Sequence, residues 1–328
     1  MTLLLFAACS KEEGDANVKD DERVPLRIVS NIVVEQSVRT RALNSEWEDN
    51  DAIGVYASMT APPSDYSVLT NGLGVNRLYT IETGAETKPD DYSYQLFEPT
   101  EGVYPPINGD PIHVFAYYPY KNTATDYTAV PINIADQNTQ AKQSAVDFMT
   151  TGVVSATTHG GSTPISSENP SCELLFTHRL VKLQFNLKKG DELLAGEISG
   201  ATALSIKIDH QPTAATYNIF TNDISITAGS TEIIAAPMAT AETGYEKSFE
   251  AIVMPNKMTA EEEVLANNAL TDRTVTITIT YASDNQTFSY TFTIGNTTSF
   301  VSGNKYVYNV TVNGYSIVVN PLKFTEQW

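Results

Sequence analysis

The sequence has few cysteines and few histidines for its length. Its 328 residues include two cysteines, Cys9 and Cys172, and four histidines, none at a metal-ligand spacing from another. Two thiols allow at most one disulfide, so the fold must be stable through packing rather than through a disulfide framework. Because the histidines give no support for a zinc site, we expect neither a metal ion nor another cofactor.

Basic residues are also scarce. The chain has 20 Lys and Arg against 39 Asp and Glu, a formal net charge of −19. Such an acidic surface repels phosphate backbones, so we expect no nucleic-acid partner. The sequence lacks G-x-S-x-G, H-E-x-x-H, the P-loop and the dinucleotide-binding fingerprint. It therefore predicts a protein that is not an enzyme.

Long apolar runs and helical patterns are nearly absent. No run of about 18 apolar residues occurs, so no helical span is predicted, and almost everywhere the hydrophobic period is 2. The alternation over residues 273–281 and 288–294 predicts a hairpin, and residues 306–312 predict a third strand of the same meander. A capping-box pattern predicts a short helix over residues 259–269. The sequence predicts an all-β fold with few short helices.

The length suits two domains. Residues 159–170 are polar, contain Gly and Pro, and separate a loop-rich half from a strand-rich half. Such segments are typical of domain boundaries. We therefore expect an N-terminal domain over residues 26–168 and a C-terminal domain over residues 169–328.

The first residues resemble the end of a bacterial lipoprotein signal peptide. A short apolar run ends in Phe6-Ala7-Ala8 directly before Cys9, as in a lipobox. This likeness implies that Cys9 is acylated. A basic segment is missing and the apolar run is short, so we expect the true start to lie upstream. Residues 10–25 are rich in charged and polar residues and predict a flexible tether.

Residues 26–39 predict a long strand with one apolar face, followed by Arg39 and Arg41. Full burial of five aliphatic side chains is worth on the order of 10 kcal/mol, an upper bound. Two interpretations are open. The segment is either the edge strand of the first domain, or a removable strand that cleavage at either arginine detaches. Its loss would uncover a groove that a strand of another subunit fills. The apolar face consists of Leu26, Ile28, Ile32, Val34 and Val38.

Several short motifs occur in order along the chain. Thr40-Arg41-Ala42 precedes Trp47 and an IGVY sequence at residues 53–56, FAYYPY occupies residues 115–120, and GNKYVY occupies residues 303–308. The most specific motif is FTHRLVKLQF at residues 176–185, which is similar to F-x-H-x-L-x-K-L-x-F. In these motifs the sequence resembles the fimbrillin family, the subunits of type V pili of Bacteroidales bacteria.

The resemblance implies two tandem β-sandwich domains of transthyretin-like, Greek-key character. It implies export as a lipoprotein held in the outer membrane through Cys9, and cleavage after Arg41, or Arg39, by an Arg-specific protease. Assembly with other fimbrial subunits by strand exchange would then build a cell-surface fimbria. The removable strand would be residues 26–38, and the donated strand would lie within the C-terminal residues 315–324. The apolar residues of that tail include Ile317, Val319, Leu322 and Phe324.

A second function remains open from the sequence. The chain could instead be a surface lipoprotein that never polymerises and whose β-sandwich domains bind glycan or a host protein. Tyr117, Tyr118 and Tyr120 suggest either a stacking platform for sugars or packing in the core and in a Pro turn. A polymerising subunit should lose everything before Ala42, whereas a fixed lipoprotein should keep it.

Overall fold

A computed structural model of the chain describes residues 23–32, 47–59, 74–81, 95–100, 102–154, 164–227, 230–258, 272–295 and 297–327. The strands up to the middle of the chain are β1 Arg27–Ile32, β2 Ala52–Ser58, β3 Arg77–Ile81, β4 Gln95–Pro99, β5 His113–Tyr118, β6 Val130–Asn133, β7 Met149–Val154, β8 Ser171–His178 and β9 Val181–Lys189. The later strands are β10 Ala203–Pro212, β11 Ala214–Asn218, β12 Asp223–Ile226, β13 Ser230–Ile234, β14 Ala236–Pro237, β15 Lys247–Val253, β16 Arg273–Thr280, β17 Thr287–Ile294, β18 Asn304–Asn313 and β19 Ser316–Gln327. The prediction of an all-β fold is confirmed.

The described residues contain one short helix, α1 Gln140–Ser144. It was not predicted. The hydroxyl of Thr139 caps it by accepting a hydrogen bond from the Lys142 N–H at 3.3 Å, which satisfies one of the free donors of the first turn. No helix in the described part has the length and apolar character of a membrane span. The helix predicted over residues 259–269 lies outside the described residues.

Seven of the first eight strands, all but β6, close into a barrel in the order β1-β4-β3-β2-β5-β7-β8. Its interior is apolar, because alternate residues of each strand point inward. This closed sheet differs from the β-sandwich that was expected for the N-terminal domain. Closure leaves no free edge, and it depends on β1, which pairs with β4 on one side and with β8 on the other. The interpretation of β1 as an edge strand is wrong.

The second half contributes a four-stranded sheet, β13-β10-β16-β17, and a five-stranded sheet, β14-β15-β9-β18-β19. Both sheets contribute to one hydrophobic core. In β16, Val275, Ile277 and Ile279 are fully buried while the threonines between them are partly exposed, as the alternation predicts. A three-stranded sheet, β12-β11-β6, joins a strand of the first half to two strands of the second.

Two details of the predicted organisation differ from the structure. The sheets change after His178 rather than at residues 168 and 169, because β8 belongs to the barrel. The hairpin β16–β17 is present, but the predicted meander is wrong, because β18 pairs with β9 and β19 instead of β17. Alternation specifies which face of a strand is buried and leaves its partners unspecified.

Candidate functional site

The most distinctive feature of the barrel is the place that β1 occupies between β4 and β8, which we call the β1 slot. Leu26 and Ile28 are fully buried there, and Ile32 is 4% exposed. Ser30 shares this inward face and is fully buried as well. Val34 and Val38, which the sequence assigns to the same face, lie outside the described residues.

The register of β1 is defined on both sides. Against β4 it runs antiparallel, with Ile28 opposite Phe97. Against β8 it runs parallel from Arg27 opposite Ser171 to Ile32 opposite Phe176. Removing β1 would therefore uncover two strand edges and the apolar interior between them. Backbone groups on both edges would lose their partners, which is costly in a buried position.

Tyr79 ties the beginning of β1 to the rest of the barrel. Its hydroxyl donates to the Leu26 carbonyl oxygen at 3.0 Å and accepts from the Val103 N–H at 2.9 Å. The Leu26 N–H donates in turn to the Val103 carbonyl oxygen at 2.7 Å. Burial raises the pKa of Tyr79, so the hydroxyl stays protonated and keeps its role as donor. The contact makes Tyr79 a clasp at one end of the slot.

Trp47 covers the other end of the slot. Its ring meets Phe97 and Phe176 edge-on, with centroid separations of 5.1 and 5.0 Å. Phe176 is also the pairing partner of Ile32, the last described residue of β1. Ile32, the last described residue of β1, and Trp47, the next described residue of the chain, therefore both lie near Phe176 at the same end of the slot. Residues 33–46, which contain Arg39 and Arg41, form the connection and lie outside the described residues.

A partly buried carboxylate, Asp51, contacts Tyr118, whose ring also meets that of Trp47. Asp51 accepts hydrogen bonds from the Tyr118 hydroxyl at 2.8 Å and from the Glu48 N–H at 2.8 Å. Burial raises the pKa of Asp51, while these two hydrogen bonds oppose the shift. Tyr117 and Tyr118 are at most 5% exposed, so both pack inside the protein and neither ring is available to stack on a sugar.

Cys172 lies in the slot beside β1. It is the pairing partner of Ile28 and is fully buried. Burial raises the pKa of its thiol, and because the thiolate is the reactive form, the thiol is protected while β1 is in place. Cys172 can therefore report on whether β1 is present.

Two groups of buried ionisable side chains occur, one in the barrel part of the chain and one in the five-stranded sheet. His178 Nδ1 lies 3.0 Å from Asp147 Oδ1, and both side chains are buried. Glu250 lies between two lysines, 3.7 Å from Lys182 Nζ and 3.5 Å from Lys305 Nζ. Burial lowers the pKa of Lys182, and the charge of Glu250 opposes that shift. No group of three or more metal-binding side chains occurs among the described residues.

The C-terminal tail forms β19, which pairs with β18 at the edge of the five-stranded sheet. Ile317 and Val319 are partly buried against the core, whereas Val318 is 49% exposed. Pro321 lies opposite Tyr308 and lacks the N–H of a ladder bond. Leu322 and Phe324 belong to β19, but their side chains are outside the described part. Residues 317–319 of the tail are therefore less deeply buried than the inward residues Ile28, Ser30 and Ile32 of β1.

The structure describes some of the predicted site residues and not others. Cys9, Arg39 and Arg41 lie outside the described residues. Ile28 and Ile32 of β1 and Leu26, which directly precedes β1, are all buried in the barrel. The sequence analysis missed the roles of Tyr79 and Cys172, because neither residue belongs to a motif and only the pairing of distant strands brings them to β1.

Comparisons with known proteins agree with one another. The family profile described as "Fimbrillin-like" matches residues 40–325, a range that begins after β1. A curated relative, "Putative fimbrium subunit Fim1C" of Bacteroides uniformis, is 27% identical over 333 residues, covering 100% of this chain and 92% of that protein.

Solved structures show the same architecture. A crystal structure described as a "putative cell adhesion protein" from Bacteroides uniformis is 26% identical with a TM-score of 0.60, over 92% of this chain and 97% of that one. A protein with the same description from Bacteroides ovatus is 18% identical with a TM-score of 0.63, over 93% and 98% of the two chains. At 18% sequence identity, the match to the Bacteroides ovatus protein shows a similar fold and no more.

Proposed function

The chain belongs to the fimbrillin-like family, and from this premise we propose that it is a structural subunit of a cell-surface fimbria that assembles by exchange of strands between subunits. The observation that carries the proposal is the position of β1, an apolar strand held between two others at the start of a barrel. A strand in that position can be replaced by another strand of similar pattern, because the slot supplies both hydrogen-bonding edges.

Proteolysis would make β1 replaceable. A cut after Arg39 or Arg41 falls in the connection 33–46 and separates β1 from every later strand of the chain. The strand would then be held by non-covalent contacts alone. Its described aliphatic residues Leu26, Ile28 and Ile32 contribute on the order of 5 to 9 kcal/mol of burial, an upper bound. An incoming strand would have to supply a comparable amount.

The C-terminal tail is the candidate donor. β19 occupies a sheet edge and has one described partner strand, β18, so it can leave with fewer broken contacts than a central strand. Its odd positions Ile317 and Val319 have the aliphatic character that the slot requires. Pro321 would have to lie where no ladder bond is needed.

Location and partners follow from the same scheme. We propose export as a lipoprotein through Cys9, attachment to the outer membrane before cleavage, and an Arg-specific protease as the maturation partner. The other partners are fimbrial subunits, identical or related. The role is structural rather than catalytic.

The test follows the fate of β1 in the full-length chain. We would prepare the chain with Cys9→Ser, so that Cys172 is the single thiol, and treat it with trypsin at low concentration. Mass spectrometry should find a new N-terminus at Thr40 or Ala42. Gel electrophoresis without boiling should show a ladder of multimers, and Cys172 should react with a maleimide while strands exchange.

The matched control carries Arg39→Gln and Arg41→Gln. It should keep its N-terminus, remain monomeric and leave Cys172 unreactive under the same treatment. The proposal is overturned if the trimmed protein stays monomeric and its Cys172 stays protected, because the cut strand would then remain in its slot.

A further inference from the structure

The inward face of β1 contains one polar residue. Ser30 is fully buried between Ile28 and Ile32, and its strand partners are Leu174 of β8 and Gln95 of β4. Leu174 is itself fully buried in the barrel core. Among the described residues, no group forms a hydrogen bond with the Ser30 hydroxyl. A buried hydroxyl that loses water without gaining a partner weakens the state that contains it.

Another buried serine of the chain shows the contrast. Ser248 is 2% exposed, and its hydroxyl donates to Asn186 Oδ1 at 2.8 Å and accepts from the Glu242 N–H at 3.0 Å. The Ser248 hydroxyl therefore has a partner both as a hydrogen-bond donor and as an acceptor. Ser30 has no such arrangement, although it occupies the middle of the face that holds β1 in the barrel.

We propose that Ser30 makes β1 a weak occupant of its slot, and that the strand which replaces it places an aliphatic side chain at the Ser30 position, beside Leu174. This inference rests on the proposed exchange of strands. It adds the chemistry of the incoming strand, which is an extended segment of another subunit with apolar residues at four successive inward positions. The residue facing Leu174 determines which strand is preferred.

The physical reason is a difference between two occupants of one slot. The barrel contributes the same edges and the same interior to both strands, so these contributions cancel. The difference in binding free energy between the two strands then depends on the inward residue at the Ser30 position. Replacing an unpartnered hydroxyl by an apolar group removes its desolvation cost, and we expect this single change to favour the new strand on the order of tenfold.

The test uses peptides as incoming strands. The full-length chain is cut with trypsin, and fluorescent peptides of residues 24–38 are added, one with the natural sequence and one with Ser30→Ala. Alanine removes the hydroxyl without adding volume. We expect both peptides to enter the slot and the Ser30→Ala peptide to bind on the order of tenfold more tightly in fluorescence anisotropy. Equal affinities would overturn the inference and leave strand exchange standing, whereas failure of both peptides to bind would overturn both.

A second measurement needs no cleavage. In the intact chain, Ser30→Ala should raise the urea midpoint of unfolding, although most serine-to-alanine changes at satisfied buried sites lower it. The matched control is Ser248→Ala, which should lower the midpoint because the Glu242 N–H loses its acceptor. A lower or unchanged midpoint for Ser30→Ala would contradict the weak-occupant argument, whatever the peptides do.

Discussion

The clasp formed by Tyr79 gives the sharpest prediction about how β1 is held. Tyr79→Phe keeps the ring and removes only the hydroxyl, which bridges the Leu26 carbonyl oxygen and the Val103 N–H. Val103 is fully buried, so its N–H could not form a hydrogen bond with water in place of the lost hydroxyl. The variant therefore tests the start of β1 without creating a large cavity.

The magnitude follows from these two contacts. An orphaned buried N–H costs about 1 to 3 kcal/mol, and a lost hydrogen bond to the Leu26 carbonyl costs about 1 kcal/mol. We expect the free energy of unfolding to fall by about 2 to 4 kcal/mol in total. The loss should be concentrated at the first residues of β1, because the later residues keep their pairs with β4 and β8.

Two measurements read out the change. Urea unfolding would be followed by the fluorescence of Trp47, with Trp328 replaced by Phe so that Trp47 is the single tryptophan. Hydrogen exchange would be followed at the amides of Leu26 and Val103, where protection should fall most. Trp47 is a suitable probe because its ring lies against the slot.

The matched control is Tyr281→Phe in the second half of the chain. The Tyr281 hydroxyl pairs with the hydroxyl of Tyr290 at 3.1 Å, and Tyr290 still donates to the Gly314 carbonyl oxygen at 2.8 Å after the change. No backbone N–H is orphaned, so we expect a loss within about 1 kcal/mol. If Tyr79→Phe costs no more than this control and leaves the exchange at Leu26 unchanged, the clasp does not hold β1.

Two further predictions concern buried charge elsewhere. Glu250→Gln should lower the free energy of unfolding by about 3 to 5 kcal/mol, because Lys182 and Lys305 would lose their shared carboxylate in a buried site. The control is Glu232→Gln, which removes the exposed ion pair between Glu232 and Lys207, worth at most about 1 kcal/mol. Urea unfolding of both variants checks this prediction, and equal losses would refute it. Burial lowers the pKa of His113 below its ordinary 6.5, so the unfolded chain binds its proton more readily and stability should be lost as the pH falls from 6.5 through the folded-state pKa. His113→Gln should lessen this dependence, and wild type and variant curves that stay parallel across that range would contradict the assignment.

Much of the local structure could be predicted from the sequence. The alternation in β1 and β16 identifies the strands and their buried faces, because side chains point to opposite sides at every step. In β9 the alternation identifies the strand, but both of its faces are buried. The sequence also shows Ser30 and Gln36 as the two polar residues on the otherwise aliphatic face of residues 26–38. The family motifs indicated the correct family, because Trp47, the FAYYPY segment and the residues around His178 all occur in order.

The partners of each strand could not be predicted in the same way. The pattern of β18 is as regular as that of β17, yet β18 pairs with β9 from far earlier in the chain. The change of sheet after His178 could not be predicted for the same reason, because the composition of a loop carries no information about which sheet the next strand joins. Pairing depends on the packing of whole faces, which no single segment specifies.

By itself, the sequence determined the strand-rich character of the protein, the apolar face of residues 26–32 and the family to which the chain belongs. These features depend on residue types and their spacing along the chain. Only the tertiary structure decided that β1 lies between β4 and β8 rather than at an edge, that Tyr79 and Trp47 hold its two ends, and that Ser30 is buried without a partner among the described residues. Each of these depends on contacts between residues far apart in sequence, and such contacts form only when the barrel closes.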